Sequence, residues 1–249
     1  MTEIIAIVLG VALLSAAIVL VRHRYWPADP DDEPREDVAE YISMMVGVLY
    51  ALVLGLSLVS VWETRSSAEG HVQTEASAAH QVYLLADGLP PDSAERVRTA
   101  TAAYVHHVVG AEFPSMVGSR PLGEEGWVLL HRVRTANQAP DDATPVQQAT
   151  VQEVLAQLST LDDARRGRES DALNRLSPTL WLGLIIGGAL TVAFMFMFGV
   201  KRNVTHVTMV MGLTGLITFT VVLVYQLNQP FSGLLAVDAS SFTRYFPRP

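Results

Sequence analysis

The chain has 249 residues, of which half are hydrophobic and 17% charged, with a formal charge of −8 and no cysteine. So few charges for this length point to membrane residence, and a negative balance without any basic stripe excludes nucleic-acid partners. The lack of cysteine excludes disulfides, thiolate catalysis and cysteine-based metal sites.

Four segments are long and apolar enough to cross a bilayer core of about 30 Å: residues 4–21, 42–62, 180–198 and 204–225. None carries Asp, Glu, Lys or Arg in its interior. The first is read as a retained span rather than a secretion signal, because Met1-Thr2-Glu3 supplies no cation and no small-x-small cleavage site follows. The expected architecture is therefore an all-α integral membrane protein with four transmembrane helices. Residues 1–62 form one hairpin and 178–227 the other. A helical bundle, 63–177, is inserted between the second and third spans, and a membrane-proximal tail, 228–249, follows.

The insert reads as helical throughout. Its first helix continues from the second span, with no strong breaker before "DGLPP" at 87–91, and Val72, Ala76, Ala79, Tyr83 and Ala86 form a stripe at spacings of three and four. Asp92 with Glu95 resembles a capping box opening a second helix that ends near "EFPS". A third helix covers 124–138. Thr144 and Pro145 stand in cap and first-turn order for a fourth, whose buried face is Val151, Val154, Leu155, Leu158 and Leu161 and which runs close to Ser177-Pro178.

The short loops carry Arg22, Arg24 and Arg35 after the first span, and Lys201 and Arg202 between the third and fourth. The positive-inside rule puts those loops in the cytoplasm and the insert outside. Arg65, Arg165, Arg166, Arg168 and Arg175, on the insert's side, pull the other way, although long loops are largely exempt from the rule.

Nucleotide-binding, hydrolase and zinc-protease motifs are all missing. The adjacent His106 and His107 point about 100° apart on a helix, which does not suit joint metal ligation. Neither an enzyme nor a cofactor is expected. Small residues carry more information: Ser43, Gly47, Ala51 and Gly55 recur every four residues in the second span, and Gly183 and Gly187 form GxxxG in the third. In lipid such faces allow close backbone approach, either within one subunit or at a subunit boundary or pore. Without interior charge, four helices do not make a conduit in a monomer, so a pore requires a homo-oligomer. The threonines of the fourth span are expected to bond back to their own helix.

The run "DDARRGRESDALNR" brings Arg165, Arg166, Arg168 and Arg175 towards the third span. They either pair with Asp162, Asp163, Glu169 and Asp171 on a solvated helix or form a ring that concentrates inorganic anions at a symmetric mouth.

Four stretches resemble the bacterial bestrophin-like family: "DVAEYISMMVGVLYALVLGLSLVSVWE", "LDDARRGRES", "GGALTVAFMFMFG" and "LNQPFSGLLAVDASSF". The last carries the family's closing Pro-Phe-x-Gly signature at Pro230, Phe231 and Gly233. The resemblance implies a four-span membrane protein akin to the bestrophins, oligomeric anion channels whose bulk lies in the cytosol. Two departures stand out. Asn228 replaces the acidic residue that commonly precedes the pair, so any cation binding or gating by that carboxylate is missing here. No proline follows Val237 within "VDASSF".

The tail gives the last expectation. Pro230 stops the helix, and Gly233 permits a sharp redirection. Phe231 and the Leu234 to Val237 run then fold back along the membrane or onto the insert, and Asp238 or Ser240 caps a final turn bearing Phe242, Tyr245 and Phe246. The segment is either a structural latch or a collar round a pore mouth, with Phe231 in the constriction and Asn228, Pro230 and Gly233 shaping it. Taken together, the sequence suggests an oligomeric anion-conducting pore in a bacterial plasma membrane. A non-catalytic sensor or scaffold with a ligand- or protein-binding bundle is the alternative.

Overall fold

Apolar runs of span length and stripes at helical spacing leave no alternating pattern for strands. A computed structural model describes residues 2–25, 36–118, 120–139, 141–197 and 204–246, and no strand occurs among them. The helices are α1 (Thr2–Tyr25), α2 (Glu36–Leu85), α3 (Pro91–His107), α4 (Phe113–Val117), α5 (Glu125–Ala136), α6 (Pro145–Leu173), α7 (Pro178–Met197), α8 (Val204–Leu227) and α9 (Ser240–Tyr245). By length and composition, stretches of α2, α7 and α8 can cross a membrane. In α1 the apolar stretch among described residues is the shorter Ala6–Ser15. Arg35, Ser119, Lys201, Arg202 and Asn203 lie outside the described residues, as do the side chains of Arg22 and Arg24.

The chain divides into two units: 1–62 with 176–228, and 63–175 with 229–249. The first is the apolar unit, where α8 packs against α1 and α7. Tyr50 of α2 lies where a Cβ on Gly187 or Gly188 would stand, 2.6 Å from the ring and 2.9 Å from the hydroxyl respectively. Those glycines therefore let α2 and α7 approach closely. Trp181 and Tyr225 meet edge to face at 6.1 Å. Thr191, Thr218 and Thr220 donate to the carbonyls four residues earlier, as expected of hydroxyls in an apolar helix.

The second unit has a continuous core of Ala, Val, Leu and aromatic side chains. The α2 stripe is buried at Ala68, Val72, Ala76 and Ala79, with Val82 rather than Tyr83 continuing it, and Ala86 is buried just past the helix end. α6 opens with a full capping box between Thr144 and Gln147 behind Pro145, and it buries Val151, Val154, Leu158 and Leu161. It ends at Leu173, short of Ser177.

The start of α3 differs from expectation. Pro90 is its cap, without a side-chain bond, and Pro91 fills the first turn, where a missing N–H breaks nothing; Asp92 thus lies inside the helix. Nor does the segment stop at "EFPS". A π-helical turn, Val108–Glu112, joins α3 to α4, and its bond from Phe113 N–H to the Val108 carbonyl carries the chain past Pro114.

The tail completes this core. Gly233 takes φ 90°, open to glycine at no steric cost, and the Val237 N–H donates to the Pro230 carbonyl at 2.7 Å, closing the turn. Phe231, Val237 and Phe242 are buried with the residues of α2, α3 and α6. The rings of Phe231 and Phe242 each stand 6.1 Å from Phe113. Tyr245 stacks on His80. Asp238 accepts from the Ser240 N–H, and bonding to the Ser240 side chain and then to this N–H holds its carboxyl below the usual range.

Candidate functional site

Beyond Leu161 the buried face of α6 continues at the same spacing, but its next large side chains are Arg165 and Arg168, both 0% exposed. A buried guanidinium must be paired and hydrogen-bonded to be tolerated. Arg165 makes a two-pronged contact with Glu112, at 2.9 and 2.7 Å, and reaches Glu169 at 3.0 Å. Arg168 donates to both oxygens of Glu75, at 2.6 and 3.0 Å, and to Glu112 at 2.6 Å. The Tyr104 hydroxyl donates to Glu75 at 2.5 Å. Two guanidiniums and the carboxylates of Glu75 and Glu112 thus make a charge-neutral cluster that ties together α2, α3, the π-helical turn and α6.

Each member depends on local backbone. The π-helical turn sets Glu112 inward, facing Arg165 and Arg168. Gly126 at the start of α5 supplies bare backbone opposite the pair: a Cβ there would fall 2.2 Å from Glu112 Oε1 and 2.3 Å from Arg165 Nη2. Trp127 covers Arg165 at 4.8 Å, and Met116 Sδ lies 3.5 Å from an Arg168 nitrogen.

Burial alone would raise the pKa of Glu112, but the Arg165 hydrogen bonds and the charges of Arg168 and Arg165 outweigh it and hold the carboxyl below its ordinary value. Burial opposes charge on both arginines, yet bonding and attraction from Glu112 for Arg165, and from Glu75 for Arg168, keep them firmly protonated. Burial, then the charge of Glu75, pushes the Tyr104 phenol well up. These directions keep Glu112 and both arginines charged and the Tyr104 phenol neutral, as their mutual bonding requires.

The other sequence-selected residues are dispersed. Arg166 is exposed and pairs with Asp163 at 3.2 Å, and Asp162 pairs with Arg134 at 2.7 Å. Asp171 accepts from the His71 ring at 2.7 Å, and that ring lies on the bare backbone of Gly167. Arg175 is exposed at the end of the second unit. Phe231 is 2% exposed, with its ring in the core. Pro230 is also buried there, beside Gly233. In the apolar unit, Asn228 accepts from the Leu176 N–H at 2.6 Å, joining the end of α8 to the approach to α7. Of the small residues, Gly187 is packed, whereas a Cβ at Gly47, Gly55 or Gly183 would meet nothing within 4 Å. Ser43 is half-buried and Ala51 exposed.

Sequence reasoning placed the arginines but missed Glu75, Tyr104, Glu112 and Gly126. Glu75 and Arg168 sit on the buried stripes of α2 and α6, so extending each stripe through its charged positions would have found them.

An all-helical membrane protein with a separately cored helical unit is the class defined here. The Bestrophin-like domain model matches residues 9–242, and the chain belongs to that family. A crystal structure of a bacterial bestrophin homologue from Klebsiella pneumoniae, carrying a mutation, matches with a TM-score of 0.73 at 12% identity. That match covers 99% of this chain and 100% of the other. A crystallised membrane protein matches with a TM-score of 0.68 at 13% identity, covering 100% of both chains. At such identities the likeness is one of fold. No curated protein matches at the sequence level.

Proposed function

We propose that the protein is an oligomeric, pore-forming channel of a bacterial plasma membrane, passing inorganic anions through a path that several copies build together. The observation that supports this most is the face of α2 bearing Ser43, Gly47, Ala51 and Gly55. It is narrow, free of charge, and little used for packing within the chain. Small residues on a span-length helix suit close approach to another copy or the lining of a neutral, weakly selective path. Family membership and fold likeness add weight to the same reading. Four spans, with α1 as the first, and an extracytoplasmic insert complete the proposed arrangement. Arg166 and Arg175 fit the anion-concentrating part better than Arg165 and Arg168, whose charges are balanced internally. The tail fits the latch better than the collar, since a constriction needs an exposed ring.

Ion flux tests this. Purified protein in liposomes under separate chloride and potassium gradients should pass chloride, and Gly55→Leu should reduce that flux. No flux with oligomers intact would shift weight to a ligand-binding sensor or scaffold. Chloride flux unchanged by Gly55→Leu would remove α2 from the path. Single cysteines at Ser119 and Asn203, probed with an impermeant thiol reagent, test the side of the insert: labelling at Asn203 alone would place it in the cytoplasm.

A further inference from the structure

The second unit contains a cavity of about 560 Å³ between the segment after α4, the start of α5 and the last turn of α6. This is within the range of small-molecule sites, about 300–1,000 Å³. Its inner wall is tied to the ionic cluster through three side chains. Met116 touches Arg168, Trp127 covers Arg165, and Glu169 is bound by Arg165. A wall locked in this way is organised before any ligand arrives. The outer wall is different: Arg120, Leu173 and Arg175 are all exposed, Leu173 at 78%.

The chemistry of the lining is amphiphilic. Two guanidiniums, Arg120 and Arg175, share one opening with the Glu124 and Glu169 carboxylates and with Leu122, Trp127 and Leu173. Glu169 is turned towards Arg165 at 3.0 Å, so its carboxylate is already engaged on the inner wall. Guanidiniums favour phosphate, which they grip through paired N–H groups. An exposed leucine beside them suits a hydrocarbon chain better than water. Chain position supports the same source, for Arg175 ends the second unit and the span-length α7 opens at Pro178. An Arg next to a span is a usual partner of lipid headgroups.

We propose that this cavity binds the phosphate head of an anionic phospholipid, held by Arg120 and Arg175, with the first part of its acyl chain against Leu122 and Leu173. The site does not depend on ion conduction.

The test is native mass spectrometry of the full chain in neutral detergent. Short-chain phosphatidylglycerol, phosphatidylcholine of the same chain length, and glycerol phosphate would be titrated separately. Phosphatidylglycerol should bind one per chain, about ten-fold more tightly than phosphatidylcholine. The double variant Arg120→Gln/Arg175→Gln should abolish that preference, and Leu173→Ala should weaken the lipid without affecting glycerol phosphate. Arg120→Gln alone, on an exposed loop, keeps the test decisive should the double variant not fold, and a loss of about three-fold is expected. Equal retention of the two lipids, or indifference to the arginine substitutions, would overturn the site. Glycerol phosphate binding as tightly as the lipid would overturn the lipid assignment in favour of a soluble phosphate ester.

Discussion

The two units solve opposite problems with the same helices. In the apolar unit, only 11% of the span-length window of α2 and of α7, and 17% of that of α8, is buried within the chain. Its exposed face is a run of Met, Val and Leu, including Met44, Met45, Val48, Leu49 and Leu52. In the second unit most exposed residues are polar, while the interior holds Glu75, Glu112, Arg165, Arg168, Asp171 and Tyr104. The bilayer acts as solvent for one, so apolar groups need not be hidden. Water is solvent for the other, whose interior must pair whatever charge it buries. Stability is thus internal to the second unit, and for the first it lies largely in the surrounding lipid.

Substitutions can break that contrast. The largest effect should come from Arg168→Met, which strands Glu75 and half of Glu112. Breaking a buried pair from one side costs about 3–5 kcal/mol, to be read from thermal unfolding by circular dichroism. Arg168→Met combined with Glu75→Met should recover part of the loss. Phe231→Ala should cost about 3 kcal/mol by opening the core, with the unfolding midpoint falling even if flux survives. Gly126→Ala should cost about 1–3 kcal/mol by pressing a methyl group onto the Glu112–Arg165 contact.

Acid should act on the second unit through Glu112. Its folded pKa lies below that of the unfolded chain, so its contribution is fully present above about pH 4.3. That contribution is lost as pH falls through the folded value. Glu112→Gln should flatten this loss in an acid titration of the unfolding midpoint. The smallest effect belongs to the apolar unit: Leu49→Ala should change chain unfolding by no more than about 0.5 kcal/mol. Gly47→Leu should be equally mild there and yet disperse oligomers on size exclusion, if that face meets another copy.

Where one physical rule dominated, the sequence could be read directly. Length and apolarity located α2, α7 and α8, and Thr144-Pro145 located the start of α6, because a threonine cap and first-turn proline satisfy local backbone needs by themselves. Where two rules competed, it was harder. Asp92 and Glu95 look like a capping pair, but Pro91 had already fixed where α3 begins. Arg165 and Arg168 sit among Asp162, Asp163, Glu169 and Asp171, so near neighbours hid the distant partners Glu75 and Glu112. The π-helical turn leaves no mark in composition, since it is defined by one extra residue in the bond pattern. Phe231 is apolar in a tail that follows a membrane helix, and lipid and protein core are equally good destinations for such a ring.

The tail also sets an order on assembly. Residues 63–175 leave the ribosome before α7 and α8 are made, yet their core lacks Phe231, Val237 and Phe242 until those membrane helices have followed. The unit is therefore synthesised long before it can close, and a chain cut short after α8 would insert its spans and still present an unfilled apolar socket. Closure of this core thus waits on a segment that follows α8.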